Sequence, residues 1–97
     1  MRSINLHKQK VLVTGSAGFI GSNLVLQLLR TEENITIVGI DNVNDYYDVA
    51  IKRWRLEEIN KEADKHPGSK YIFFEDDICN RDTIAHIFST YKPAVVV

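Results

Sequence analysis

The chain has 97 residues, 44% hydrophobic and 26% charged, a composition that fits one globular domain and excludes a disordered or low-complexity segment. A net charge of −1 without any basic block argues against a nucleic-acid groove or an anionic membrane surface as partner. The single cysteine, Cys79, excludes an internal disulfide.

Residues 1–10 are polar and basic and lack the apolar core of a signal peptide. The longest apolar runs fall far short of a membrane span, so the expectation is a cytoplasmic protein. Residues 11–13, Val-Leu-Val, form a short apolar run that stops at a glycine turn, as a buried parallel strand does. From Phe19 to Arg30 the residues Ile20, Leu24, Val25, Leu28 and Leu29 recur at helical spacing, and Arg30 suits the carboxyl end of the helix dipole.

A polar connection leads to residues 35–40, a second strand, which ends at Asp41. Residues 42–48 are turn-like. A second helix is expected over Val49–Asp64, packing through Val49, Leu56, Ile59 and Ala63, with the Arg53 stem at the margin and Trp54 at the edge. His66-Pro-Gly-Ser69 is the clearest loop. Residues 71–74 read as a third strand. Asn80 is placed to cap a third helix, Arg81–Tyr91, whose Ile84, Ile87, Phe88 and Tyr91 form one stripe and which Pro93 stops. Residues 94–97 begin a fourth strand. Cys79, without a motif around it, reads as a small buried or half-buried residue.

This alternation predicts an α/β fold: a parallel sheet of about four strands with helices on both faces. Right-handed crossovers give the strand order 3-2-1-4, the first half of a doubly wound, Rossmann-type architecture.

Gly15, Gly18 and Gly21 stand three apart between the first strand and the first helix. Gly15 allows the sharp turn out of the strand. Gly18 lets backbone N–H groups approach a pyrophosphate, and Gly21 lets the helix lie close to the sheet. The open amides of the first helical turn and the helix dipole then receive the phosphate charge.

Asp41 lies twenty residues beyond Gly21, at the end of the second strand, where its carboxylate accepts from both hydroxyls of an adenosine ribose and repels a 2′-phosphate. Asn42 and Val43 follow, and no arginine sits beside it in sequence, so NAD is favoured over NADP. Asp77 and Ile78 end the third strand on the same edge. A carboxylate there accepts from the adenine amino group, although Asp76 and Asp77 read equally well as turn residues. His7, His66 and His86 have no metal-ligand spacing with Cys79, and no metal is expected.

Thr14-Gly-Ser-Ala-Gly-Phe-Ile-Gly21 resembles the cofactor motif of the extended short-chain dehydrogenase/reductase family, the sugar-nucleotide epimerases and dehydratases. Gly39-Ile-Asp-Asn-Val-Asn-Asp-Tyr-Tyr-Asp48, Phe74-Glu-Asp-Asp-Ile78 and Lys92-Pro-Ala-Val-Val-Val97 resemble its UDP-glucuronate 4-epimerase-like members, so the likeness covers nearly the whole chain from Lys10 onward. The resemblance implies that Gly15, Gly18, Phe19, Ile20 and Gly21 line the pyrophosphate. Asp41, Asn42, Asn44 and Asp45 then hold the adenosine ribose, and Asp77 and Ile78 contact adenine.

Family members use a Ser or Thr and a Tyr-x-x-x-Lys pair for catalysis. Here Tyr46, Tyr47, Tyr71 and Tyr91 are followed four residues on by Ala50, Ile51, Glu75 and Val95, so no catalytic residue is assigned. The expectation is the N-terminal part of an NAD-binding domain, residues 1–97, truncated before the catalytic and UDP-sugar-binding regions and inactive alone. The alternative is a stand-alone nucleotide-binding or self-assembling module without catalysis. Self-association through an exposed sheet edge is expected in either case.

Overall fold

A computed structural model describes residues 9–43 and 49–97. The elements run β1 (Lys10–Thr14), α1 (Phe19–Thr31), β2 (Thr36–Asp41), α2 (Val49–Asp64), β3 (Lys70–Glu75), α3 (Arg81–Tyr91) and β4 (Val95–Val96). All pairings are parallel, in the order β3-β2-β1-β4. The sequence-derived topology is therefore the observed one.

The inner strands carry apolar residues on both faces because both faces are covered. Val11 and Val13 of β1 and Ile37 of β2 point to one side, where they meet Val25, Leu28 and Leu29 of α1 and Leu56 and Ile59 of α2. Leu12, Val38 and Ile40 point to the other side and pack on Ile87 of α3. Each such fully buried aliphatic side chain stabilises the fold by roughly 1.5–3 kcal/mol.

The helix ends follow local chemistry. Asn80 accepts from the N–H groups of Asp82 (3.1 Å) and Thr83 (3.3 Å), which starts α3 where the sequence places it. Lys92 closes it in a left-handed conformation, its N–H bonded to the Phe88 carbonyl at 3.2 Å, and Pro93 forbids continuation. The loop after α2 is pinned by Ser69, whose buried hydroxyl accepts the Ile35 N–H at 3.2 Å.

Four expectations about burial change. Ile20 is 81% exposed and lines a shallow cavity at the start of α1. Val49 is 42% and Phe88 43% exposed, so neither is part of its helix's buried face. Cys79 is exposed too, in the turn that Asp77 builds by accepting the Cys79 N–H at 2.8 Å.

Candidate functional site

The carboxyl ends of β1, β2 and β3 form one edge, and the predicted residues gather there. Gly15 turns the chain out of β1 with φ +64°, a conformation that costs any other residue about 1–2 kcal/mol. Its N–H bonds the Ile40 carbonyl at 2.8 Å, which ties the turn to β2. A Cβ on Gly21 would run into the Gly15 carbonyl, so what requires this glycine is the turn's own backbone rather than the body of the sheet.

Gly18 is the N-cap of α1 and supplies no side-chain acceptor. Its own N–H is used by the Gly15 carbonyl at 3.0 Å. The N–H groups of Phe19, Ile20 and Gly21 have no acceptor among the described residues, so three donors at the positive end of a thirteen-residue helix face outward. That donor set fits an anionic phosphate group. Gly15, Gly18, Phe19, Ile20 and Gly21 line a shallow cavity of 520 Å³ with Val13, Thr14, Leu24 and Val97.

Asp41 sits between this turn and the neighbouring strand end. Its Oδ2 accepts the Ala17 N–H at 3.1 Å, and its Oδ1 accepts the Val43 N–H at 2.8 Å and the Lys52 ammonium at 3.1 Å. A carboxylate offers about four acceptor positions. Among the described residues three are taken by protein donors and one, on Oδ2, stays open, which narrows the expectation of two ribose hydroxyls on this group. Val43 is held at φ +55°, a rare conformation for a β-branched residue, and is buried. The bond to Asp41 and the core around its side chain sustain it.

Lys52 was not singled out from the sequence. It lies eleven residues beyond Asp41, on α2, and the signal for it was a lysine on the helix that follows the acid. A second cavity of 350 Å³ is lined by Thr14, Gly15, Ile40, Asp41, Asn42, Lys52, Asp76, Asp77 and Ile78. The structure therefore brings Asp41, Asn42, Asp77 and Ile78 together beside Gly15. Asn44 and Asp45 lie outside the described residues.

The two acids after β3 have different work. Asp76 accepts from the Thr83 hydroxyl, the Asp77 N–H (2.7 Å) and the Asn80 amide (3.1 Å), which braces the start of α3. Those bonds, led by that of Thr83, hold its carboxyl below the usual aspartate range. Asp77 is exposed and makes the turn bond to Cys79.

A larger cavity, 720 Å³, runs between α1 and α2 past Phe19, Leu26, Trp54 and Arg55. The 520 Å³ cavity is lined by all three residues with open α1 amides, Phe19, Ile20 and Gly21, whereas the larger one is lined by Phe19 alone among them. Arg55 reaches from it to the turn, donating to the Ala17 carbonyl at 3.3 Å and lying 5.9 Å over the Phe19 ring. Among the described residues no cluster of His, Cys, Asp and Glu converges as a metal site, and no helix is long and apolar enough to cross a membrane.

A parallel sheet in this order, with a glycine turn leading into an uncapped helix and an acid on the adjacent strand end, defines a Rossmann-like unit. The chain belongs to the GDP-mannose 4,6 dehydratase family, whose model matches residues 12–97. It is 41% identical over 86 residues to a UDP-glucuronate 4-epimerase of Thermodesulfobacterium geofontis, an alignment covering 89% of this chain and 24% of that protein. It is 38% identical to protein CapI of Staphylococcus aureus, over 91% of this chain and 24% of that one.

Among solved structures, the UDP-glucuronic acid 4-epimerase of Bacillus cereus in complex with UDP-glucuronic acid and NAD superposes with a TM-score of 0.67. It is 30% identical over 91% of this chain and 25% of that one. The chain thus spans about a quarter of the length of these relatives.

Proposed function

We propose that residues 1–97 are the N-terminal part of an NAD-binding domain belonging to a nucleotide-sugar 4-epimerase of the UDP-glucuronate type. The observation that carries this reading is the set of open amides at Phe19, Ile20 and Gly21 facing the same edge as the Asp41 carboxylate. The relatives named UDP-glucuronate 4-epimerase, one of them solved with NAD, support the cofactor and the substrate class.

In this reading the α1 amides hold the pyrophosphate and the Gly15 turn keeps side chains out of its way. Asp41, Asn42, Asn44 and Asp45 hold the adenosine ribose. Asp77 and Ile78 bind adenine in the 350 Å³ cavity. Lys52 orients the Asp41 carboxylate from α2. Asp41, Asp76 and Asp77 outnumber Lys52 around that cavity, so a 2′-phosphate meets net repulsion and NAD is preferred to NADP.

NAD, when bound, supplies a reversible hydride acceptor for the sugar. No tyrosine of this chain has a lysine four residues on, so these residues bind and orient without supplying the catalytic base, and the isolated chain is inactive toward UDP-glucuronate. The setting we infer is cytoplasmic, with neither nucleic acid nor membrane as partner.

Titration of the 97-residue chain with NAD tests the reading, with a Kd of about 0.1–1 mM expected because few groups contact the nicotinamide half. Absence of heat or chemical-shift change at several millimolar NAD overturns it. Turnover of UDP-glucuronate by this chain overturns the inactive assignment.

The second reading, a self-assembling module, is favoured by the β4 edge, where Val96 is exposed. Light scattering at high concentration tests the edge: dimers or larger species are expected under both readings, and a monomer refutes self-association and with it this second reading.

A further inference from the structure

The backbone of the glycine turn is held partly by a side chain from a strand that does not touch it. Tyr71 lies on β3 and Ser16 in the turn after β1, and β2 runs between those strands. The Tyr71 hydroxyl nevertheless donates to the Ser16 hydroxyl at 3.0 Å. Ser16 is completely buried, and this is its only side-chain hydrogen bond among the described residues.

The crossing depends on Gly39. In the register of the sheet Tyr71 pairs with Ile37, and Gly39 lies two residues further along β2, on the same face. A Cβ on Gly39 would stand 2.5 Å from both the Tyr71 and the Ser16 oxygens. The missing side chain is the space through which the two hydroxyls meet.

We propose that Tyr71 is a positioning residue for the nucleotide-binding turn: through the gap over Gly39 it fixes Ser16, and with it the path of the chain from Gly15 to the first amides of α1. The inference rests on the nucleotide-binding reading of that turn. Burial and the nearby Asp41 charge push the Tyr71 phenol up to about 12, so it stays protonated and able to donate throughout the physiological range. The Ser16 N–H bonds the Ile40 carbonyl and the next N–H, of Ala17, bonds Asp41, so a shift of Ser16 moves both attachments of the turn.

The test compares the full chain with Tyr71→Phe, Ser16→Ala and the double variant. The readouts are NAD and ADP-ribose titration and amide hydrogen exchange. Tyr71→Phe strands a buried serine hydroxyl and is expected to weaken both ligands roughly three- to tenfold. It is also expected to speed exchange at Ser16, Ala17 and Gly18 while the β1–β2 ladder keeps its protection.

The double variant strands no polar group, which separates loss of the link from loss of stability. It should regain melting temperature relative to Tyr71→Phe yet still bind weakly. Wild-type affinity in the double variant, or unchanged exchange at the turn in Tyr71→Phe, overturns the proposal. If the unaltered chain binds no NAD, the nucleotide-binding reading fails by itself. The exchange data then decide the link: selective acceleration at the turn supports it, and unchanged rates refute it.

Discussion

The Lys52 ammonium and the Asp41 carboxylate lie 3.1 Å apart, with side chains 14% and 4% exposed, so one ion pair joins the second helix to the end of the second strand under the candidate ribose site. Removing one member of a largely buried pair leaves the other charged and desolvated. Lys52→Met is expected to destabilise the chain by about 2 kcal/mol, below the full buried-pair cost because Asp41 keeps two backbone donors. For a domain of this size that corresponds to a fall in Tm of roughly 8–16 °C. Thermal melts check this, and a loss under about 0.5 kcal/mol would show that water screens the pair.

Glu62 links three segments. Its carboxylate meets Arg30 Nε of α1 at 3.1 Å and His66 Nε2 of the following loop at 2.9 Å. The bond from His66 is the largest cause of a carboxyl pKa below the usual range, burial opposes it, and Arg30 adds to the lowering. A carboxyl lowered in the folded state adds stability that is complete above its unfolded pKa, about 4.3, and is lost as pH falls through the folded value. Asp76, also lowered, acts in the same direction. Tm should therefore hold level from pH 7 to about 5 and fall below about 4.3, and Glu62→Gln should flatten part of that fall. An equal acid slope in the variant would remove Glu62 from the account.

The sheet order, the three helices and the cap of α3 were legible in the sequence because each rests on local chemistry. Asn80 followed by a stripe at Ile84 and Ile87 has few other solutions, and Gly15 after Val11-Leu-Val13 has few either. The Lys52–Asp41 pair and the Tyr71–Ser16 bond were not legible. Both join residues whose distance is set by the sheet register and the path of α2, and neither pattern announces itself along the chain. Ile20, which the spacing places in the apolar stripe, is exposed for a related reason: helical spacing says which face a residue occupies, not whether another element covers it.

Gly15 and Gly21 are expected to fail differently when substituted. Gly15→Ala meets no atom within 4 Å but must hold φ +64°, at a cost of about 1–2 kcal/mol. Gly21→Ala has ordinary helical backbone but drives a methyl into the Gly15 carbonyl, a rigid target, at a cost of about 2–3 kcal/mol. Gly15→Asn should be milder than Gly15→Val, because Asn tolerates the left-handed region, whereas no side chain of any kind should rescue position 21. Chemical denaturation of the four variants checks the ranking, and Gly21→Ala at wild-type stability would mean that the turn yields.

Asp76 and Asp77 separate structure from recognition at the adenine end. Asp76 is tied to Thr83, Asn80 and the Asp77 N–H, so Asp76→Ala should loosen the start of α3 and lower the Tm. Asp77 is exposed and among the described residues its carboxylate accepts one bond, from the Cys79 N–H, so Asp77→Ala should cost only about 0.5–1 kcal/mol. Their effects on adenosine nucleotides should run the other way. Loss of the Asp77 carboxylate removes the acceptor assigned to the adenine amino group and should weaken AMP and NAD roughly three- to tenfold, whereas inosine monophosphate, which lacks that amino group, should be little affected. Equal losses for AMP and inosine monophosphate in Asp77→Ala would show that the residue shapes the turn without reading the base.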